Sequence, residues 1–592
     1  MYRAPLREMR FVLEELLEAG TLSACPHFAE YSNDLGRSVL EEAGRFAESV
    51  LEPLNRSGDA EGARWTPEGV VAAAGFRAAY QQFVAGGWPA LGAGPEYGGQ
   101  IVPRVLVSAV GEFWGSANLA FKLGPMLTHG AVHALELSGS AAQKAQYLPK
   151  MVSGEWSGTM VLTEPQAGSD LGQVRTRAVP DGDRYRLFGQ KIFITWGDHD
   201  LTANTIHMVL GRIEGAPAGV KGISLFIVPK VLVNADGSLG ERNDVRCLSI
   251  EHKLGIHASP TCVLAFGEKA GAVAYLVGEP GRGLEYMFVM MNSARLSVGS
   301  EGYAVGERSF QRAAEWARVR VQGRPPHAER GSNATIIQHP DVKRMLLTMK
   351  SQTEASRALT LYTAMQFDLA SASPDPAVRA AALARGELLT PIVKGWCTEI
   401  GNEVAGIGVQ VHGGMGFIEE TGAAQYVRDV RITTIYEGTT GIQSNDLIGR
   451  KIARDRGAAI TAFLTEMATE LEGLAAVEEL VDGTCRAALA AVGQLRRATE
   501  ALGKALATRP EIALSVSVPY LKLCGYVAGG WLLAKSAAIA EDRVEGPERE
   551  FYTAKIHTAA FYAAQILPLA AALASVVEQG GASVADTDAA LI

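Results

Sequence analysis

The residues best suited to chemistry lie in RITTIYEGTTGIQSND, residues 431 to 446, and in QVHGGMGF, residues 410 to 417. A Glu followed by Gly is by itself an ordinary solvated loop acid. Here Ile432, Ile435 and Tyr436 precede Glu437, so the carboxylate leaves an apolar segment. Apolar surroundings raise a carboxyl pKa toward the range of a general base. Gly438 and Gly441 let the backbone approach a partner closely, and Thr439, Thr440 and Gln443 add hydrogen-bonding groups beside the acid. Gly413, Gly414 and Gly416 form a second region of close backbone approach.

Other polar clusters are weaker. MVLTEPQAGSD, residues 160 to 170, joins helix to sheet; Gly168 and Ser169 offer backbone and hydroxyl donors, and Leu162 and Thr163 are placed to lay main chain along a flat ring. An Asx or Ser turn is the competing reading. GEPGRG, residues 278 to 283, has the composition of a phosphate loop but the spacing of neither dinucleotide nor Walker motifs. Arg295 follows Asn292 by three residues on an apolar helix, where a buried Arg needs an anionic partner, from the protein or from a ligand. Arg320 ends a basic helix terminus, which also fits dipole complementation. H-E-x-x-H, G-x-S-x-G and metal-spaced His clusters are absent from the sequence, so hydrolase and metalloenzyme readings lack support and no metal is expected.

The elements that must hold these residues follow from texture. At 592 residues and 47% apolar composition, the chain exceeds one ordinary core. A net charge of −9 without a long basic run argues against nucleic acid. Six scattered cysteines with no C-x-x-C fit a reducing cytoplasm. The N-terminus reads as an amphipathic helix rather than a signal peptide. Two apolar C-terminal stretches, between Lys522 and Lys535 and over residues 556 to 577, read as buried bundle helices, with no membrane insertion. Residues 1–157 are helical in pattern, with a Gly/Pro-dense loop at 87 to 100. Residues 158–277 alternate as a β domain. Residues 278–454 carry long amphipathic helices of a bundle, and 455–592 form a further Ala- and Leu-rich helical segment without a readable polar cluster.

In order, TEPQAGSD, KIFITWG, KLGIHASPT, the Arg295 helix, QVHGGMGF and IYEGTTGIQ closely resemble the acyl-CoA dehydrogenase flavoprotein family over about residues 40 to 450. The length, the MYRAPLREMRFVL opening and the helical extension are similar to its long subfamily, which includes 3-methylmercaptopropionyl-CoA dehydrogenases. The resemblance implies an α+β multidomain fold: a helical N-terminal domain, a middle β-barrel domain, a helical bundle and an extra C-terminal helical domain, with FAD as cofactor. By motif position, Met160, Leu162, Thr163, Gly168 and Ser169 would meet the flavin or its pyrophosphate, and Phe193 and Thr195 would line the flavin. Arg320, Gln410, Gly413 and Gly414 would hold its adenine or phosphates across a subunit boundary, and Thr439 would touch it beside the base. Ser169, Asn292, Arg295 and Gly438 would serve the substrate. The chain departs from the family pattern at Asn292, where Asp is frequent, at the shortened Arg320-Val-Gln-Gly323, and at His339-Pro340 in place of His-Gln.

The implied reaction is removal of a thioester α-proton by Glu437 and passage of the β-hydride to flavin N5, giving a trans-2-enoyl-CoA. The Glu437 N–H and a flavin ribityl hydroxyl would hold the carbonyl oxygen. One such donor is worth about 3 kcal/mol. The implied partners are an acyl-CoA, an electron-transfer flavoprotein and a second copy of the chain in a dimer whose tetramer face the extension covers. Bulky Phe113, Trp114 and Phe121 are consistent with a short acyl pocket. An acyl-CoA oxidase using oxygen and an idle flavin-binding scaffold are the alternatives.

Overall fold

A computed structural model describes residues 1–325, 333–475 and 481–592. Contacts divide it into two compact units, one of Glu42–Val102 and Ala117–Ala294, the other of Met1–Glu41, Pro103–Ser116 and Arg295–Ile592.

The first unit is built on eight strands: β1 (Trp156–Val161), β2 (Arg177–Asp181), β3 (Arg184–Thr195), β4 (Asn204–Ile213), β5 (Ile223–Pro229), β6 (Val245–Ile250), β7 (Thr261–Phe266) and β8 (Ala272–Val277). Their order is β6-β7-β3-β8-β5-β4-β1, with β2 pairing β3 and β4. Most neighbours are antiparallel, but β1 runs parallel to β4, from Trp156 opposite Asn204 to Val161 opposite Val209. Period-two alternation sorts the strand residues onto two faces. Ile206, Met208, Leu210, Leu225 and Ile227 pack with Leu127, Ala131, Leu135, Leu148 and Met151 of the helices Leu119–Ser138 and Ala141–Val152. Val161, Leu187, Val209, Phe226, Val228, Leu264 and Phe266 form the opposite core. A small hairpin, Arg64–Thr66 with Gly69–Val71, lies in a region that the sequence pattern reads as helical.

The second unit is helical: α1 (Gly283–Val319, from Arg295 onward), α2 (Pro340–Ala372), α3 (Pro376–Ile392), a π-helical turn Val393–Cys397, α4 (Thr398–His412), α5 (Ala423–Val430) and α6 (Thr440–Asp446). Its core contains a buried ion triad in which the Arg357 guanidinium donates to Glu112 at 2.6 Å and to Glu307 at 2.8 Å. Removing one member of such a set strands a buried charge.

The C-terminal segment belongs to this unit. Helix α7 (Ser517–Glu541) has 89% of its apolar window buried, as expected for a bundle helix. Gly525 lets it approach the bundle closely, since a Cβ there would lie 2.2 Å from the Trp396 ring. Residues 556 to 577 differ from expectation. They split into α8 (Arg549–Gln565) and α9 (Pro568–Ser575), and the apolar window over Arg549–Ala585 is only 33% buried. Pro568 ends the first helix and starts the second, and Leu569 and Val576 face outward. Tyr552 and Lys555 of α8 hold the N-terminal segment: Arg7 donates to the Tyr552 hydroxyl at 2.8 Å, and Lys555 to Glu8 at 2.7 Å.

Candidate functional site

Glu437 sits on a turn between the single-turn helix Arg431–Thr434 and α6. Its φ is 56°, the left-handed region that a side chain other than Gly or Asn rarely adopts. Such strain persists only where the surroundings enforce it. Here the enforcing groups grip carbonyls. Gln443 Nε2 donates to the Glu437 carbonyl at 2.9 Å, and Lys394 Nζ donates to the Gly438 carbonyl at 2.6 Å. Thr439 caps α6 by accepting from the Ile442 N–H. Among the described residues, neither the Glu437 N–H nor its carboxylate has a hydrogen-bond partner. Both are left available to a ligand.

The surrounding charges are mixed. Arg295 is buried and its Nη1 meets Asp446 Oδ2 at 3.1 Å, so its anionic partner is a protein carboxylate. The Tyr436 hydroxyl donates to Glu301. Burial pushes the Glu437 carboxyl up to about 7, against the pull of Arg295 and Lys394 and with a further push from Glu301. A carboxyl titrating near neutrality is matched to proton abstraction at physiological pH. A cavity of about 430 Å³ lies beside this turn, lined by Glu399, Asn402, Arg431, Thr434, Thr439 and Gly441.

In the same unit α4 ends at His412, and Gly413 takes φ 62°. A Cβ at Gly413 or Gly414 would meet nothing within 4 Å, so this backbone stands open to a ligand. Gln410 is exposed nearby, and the Phe417 ring is 85% exposed. Arg320 lies over the Trp316 ring at 5.7 Å, and Trp316 stacks on His412 at 5.4 Å. This stack brings Arg320 to the glycine turn, a link that the sequence did not reveal because Trp316 and His412 lie 96 residues apart in the chain. His339, at the departure from the His-Gln pattern, bonds the Gln322 carbonyl at 2.8 Å.

The other expected cofactor residues occupy the β unit. Lys191 Nζ donates to the Leu162 carbonyl at 2.7 Å, and the Ile192 N–H donates to the Thr163 carbonyl at 2.9 Å. These bonds hold the segment after β1 against β3. Glu164 locks the following loop by accepting from the Arg175 and Thr176 N–H groups and the Thr176 hydroxyl. Met160 is half-buried, whereas Gly168 and Ser169 are exposed within that loop. Phe193 takes φ 60° where the β3–β7 register slips, and its ring is 58% exposed. A bulge that turns a large aromatic ring outward is a device for presenting it. Thr195 pairs with Thr261 at the strand end, and Asn292 is exposed.

Residues 34–155, 159–268 and 281–452 match the acyl-CoA dehydrogenase N-terminal, middle and C-terminal domains, and 458–588 match an acetyl-CoA dehydrogenase C-terminal-like domain. The chain is 48% identical over 574 residues to the 3-methylmercaptopropionyl-CoA dehydrogenase of Ruegeria pomeroyi, covering 96% of each. The chain belongs to the acyl-CoA dehydrogenase family. Members of that family are oxidoreductases, and this chain carries its fold. Caenorhabditis elegans ACDH-11, solved in complex with C11-CoA, superimposes with a TM-score of 0.77 at 21% identity, over 96% of this chain and 92% of the other. An acyl-CoA dehydrogenase from Bacillus anthracis complexed with FAD gives 0.70 at 21% identity, over 95% and 90%.

Sequence reasoning singled out Glu437 and the glycine turns but passed over Lys394, whose ammonium meets the Gly438 carbonyl. Its only signal was a lysine inside the apolar run LLTPIVKGWC. Phe121, expected beside an acyl pocket, packs into an aromatic cluster with Phe76 and Phe83 at 6.0 and 5.9 Å.

Proposed function

We propose that this chain is an FAD-dependent acyl-CoA dehydrogenase acting on short acyl-CoA thioesters, 3-methylmercaptopropionyl-CoA among them, with Glu437 as the general base. The observation that carries the reading is the Glu437 turn: a carboxylate titrating near 7, with no partner of its own, on a backbone held in place by its carbonyls. The substrate class rests on the 48% identity to an enzyme of that name.

The residues present suit FAD. The outward Phe193 ring, the exposed Ser169 hydroxyl, the open Gly413-Gly414 backbone and the buried, unpartnered Gln443 Oε1 are features a flat, polar-edged cofactor would use. Leu162, Thr163, Thr195 and Thr439 would add contacts, and Arg320 and Gln410, with Gly413 and Gly414, would reach the cofactor across a subunit boundary. When bound, FAD supplies the acceptor for the β-hydride. The chain's own part is to abstract the α-proton at the Glu437 carboxylate and to donate the Glu437 N–H to the thioester carbonyl, where enolate charge develops. Ser169, Asn292 and Gly438 would orient the substrate, whereas Arg295 is held by Asp446. Electrons would leave to an electron-transfer flavoprotein. The protein would work as a homodimer, and in the cytoplasm, where six free, buried cysteines fit a reducing compartment.

Anaerobic bleaching of the purified yellow protein by a panel of acyl-CoAs tests this. Butyryl-CoA and 3-methylmercaptopropionyl-CoA should bleach it within about 200-fold of each other, the range set by one methylene-sized difference. A higher kcat/KM for palmitoyl-CoA would contradict the short-chain assignment. Rapid reoxidation of the bleached protein by oxygen would make it an oxidase.

A further inference from the structure

Lys394 is fully buried in the π-helical turn Val393–Cys397, within an apolar run. No carboxylate lies within ion-pair distance of its ammonium among the described residues, and its one hydrogen-bond acceptor there is the Gly438 carbonyl, at 2.6 Å. A buried lysine without a salt bridge is costly, and this one spends its strongest contact on the residue following the base. Its π-helical turn is itself a departure from regular helix of the kind found at functional sites.

We propose that Lys394 is a positioning residue for Glu437: its ammonium clamps the Gly438 carbonyl, holding the left-handed turn, and supplies the nearby positive charge that lets the carboxylate form there. The inference rests on Glu437 being the base, as argued above.

The charged groups around this pair come from several elements. Arg295 and Glu301 face it from α1, Glu399 from α4, and Tyr436 and Asp446 from the turn and α6. Two of these already have other partners. Arg295 is engaged by Asp446, and Glu399 accepts from the Thr440 hydroxyl at 2.8 Å and pairs with Lys522 at 3.2 Å. Burial draws Lys394 down to about 8, with Glu437 the leading opposing influence, so the two groups sense each other. Without the Lys394 charge, Glu437 should hold its proton to higher pH, because desolvation and Glu301 would be opposed by Arg295 alone.

The test is an infrared titration of the Glu437 carboxyl stretch in the holoprotein, the band being located as the one lost in Glu437→Gln. It is run beside the pH profile of anaerobic flavin reduction by butyryl-CoA. Lys394→Met removes both charge and donor; Lys394→Gln keeps a donor for the Gly438 carbonyl and carries the test if the Met variant does not fold. The band should titrate about one pH unit higher in both variants, and the acidic limb of reduction should move with it. Lys394→Arg should return both toward wild type. Variants that fold, bind FAD and titrate as wild type would overturn the proposal, even if they reduce more slowly, because slower reduction alone is what a merely structural lysine would give. If Glu437→Gln still bleaches, the catalytic reading fails instead, while the infrared shift still decides whether Lys394 governs this carboxylate.

Discussion

Glu164 and Glu437 each stand beside a buried lysine that grips a backbone carbonyl, and the two acids titrate in opposite directions. Lys191 holds the Leu162 carbonyl and also pairs with Glu164 at 2.9 Å. The Glu164 carboxylate takes three further bonds from Arg175 and Thr176, and its own N–H donates to the Ala167 carbonyl. Burial opposes its ionisation, but Lys191 and these donors outweigh it and hold the carboxyl at about 2. At Glu437 the same ingredients are arranged differently. Lys394 and Gln443 bond the carbonyls of the turn, leaving carboxylate and N–H unclaimed, and burial wins. A satisfied buried acid builds structure. One that gains its charge only as pH rises through about 7, and is bonded to nothing, is free to take a proton.

The largest effect should come from breaking the satisfied site. Glu164→Gln leaves Lys191 buried without its counter-ion and should cost about 3–5 kcal/mol of stability at pH 7, read by urea unfolding. A loss below about 1 kcal/mol would mean that Glu164 is not the lock of the loop carrying Gly168 and Ser169.

Next in size is the opposite sign at Glu437. Its raised pKa favours folding while the acid is protonated; that contribution is full below its ordinary value of 4.5 and is lost as pH rises through about 7. Glu437→Gln should therefore stabilise the protein by about 1–3 kcal/mol at pH 8 and change little at pH 5. Glu164, whose pKa is depressed, contributes above 4.5 and loses that contribution only as pH falls through about 2. Its variant should accordingly show the same deficit at pH 5 and at pH 8. Matching pH dependence in the two variants would erase the distinction between the sites.

Much of this contrast was legible in the residues. The apolar approach Ile432, Ile435, Tyr436 announced a desolvated acid at Glu437, and β-branched alternation announced the sheet. The glycines at 413 and 414 do stand open, as their lack of side chains suggested. What was not legible depended on distant partners. Nothing in KIFITWG says that Lys191 reaches Leu162, or in PIVKGWC that Lys394 reaches Gly438, because each contact spans 29 or 44 residues. The left-handed backbone at Phe193 and Glu437 was invisible for the same reason: neither residue prefers it, and tertiary bonds impose it. Hydropathy overstated burial of α9, since an Ala- and Leu-rich helix reads alike whether covered or half-covered.

A smaller effect should follow from loosening the Glu437 turn without touching its charge. Gln443→Leu removes the donor to the Glu437 carbonyl together with the Oε1 offered to the cofactor, and in the FAD-loaded protein should cost about 1 kcal/mol in the barrier to flavin reduction, roughly fivefold in rate. Wild-type rates would show that the turn is held without it.

The most direct measurement is anaerobic stopped-flow bleaching by butyryl-CoA of the wild type and Glu437→Gln across pH 5 to 9. The wild-type rate should rise with pH through an ionisation near 7 and level off above it, as the carboxyl loses its proton. The Gln variant should keep its yellow colour and still bind substrate, yet bleach about 10²–10⁴-fold more slowly, with that ionisation gone. A Gln variant that bleaches within threefold of wild type, or that keeps the same pH profile, would place the base elsewhere.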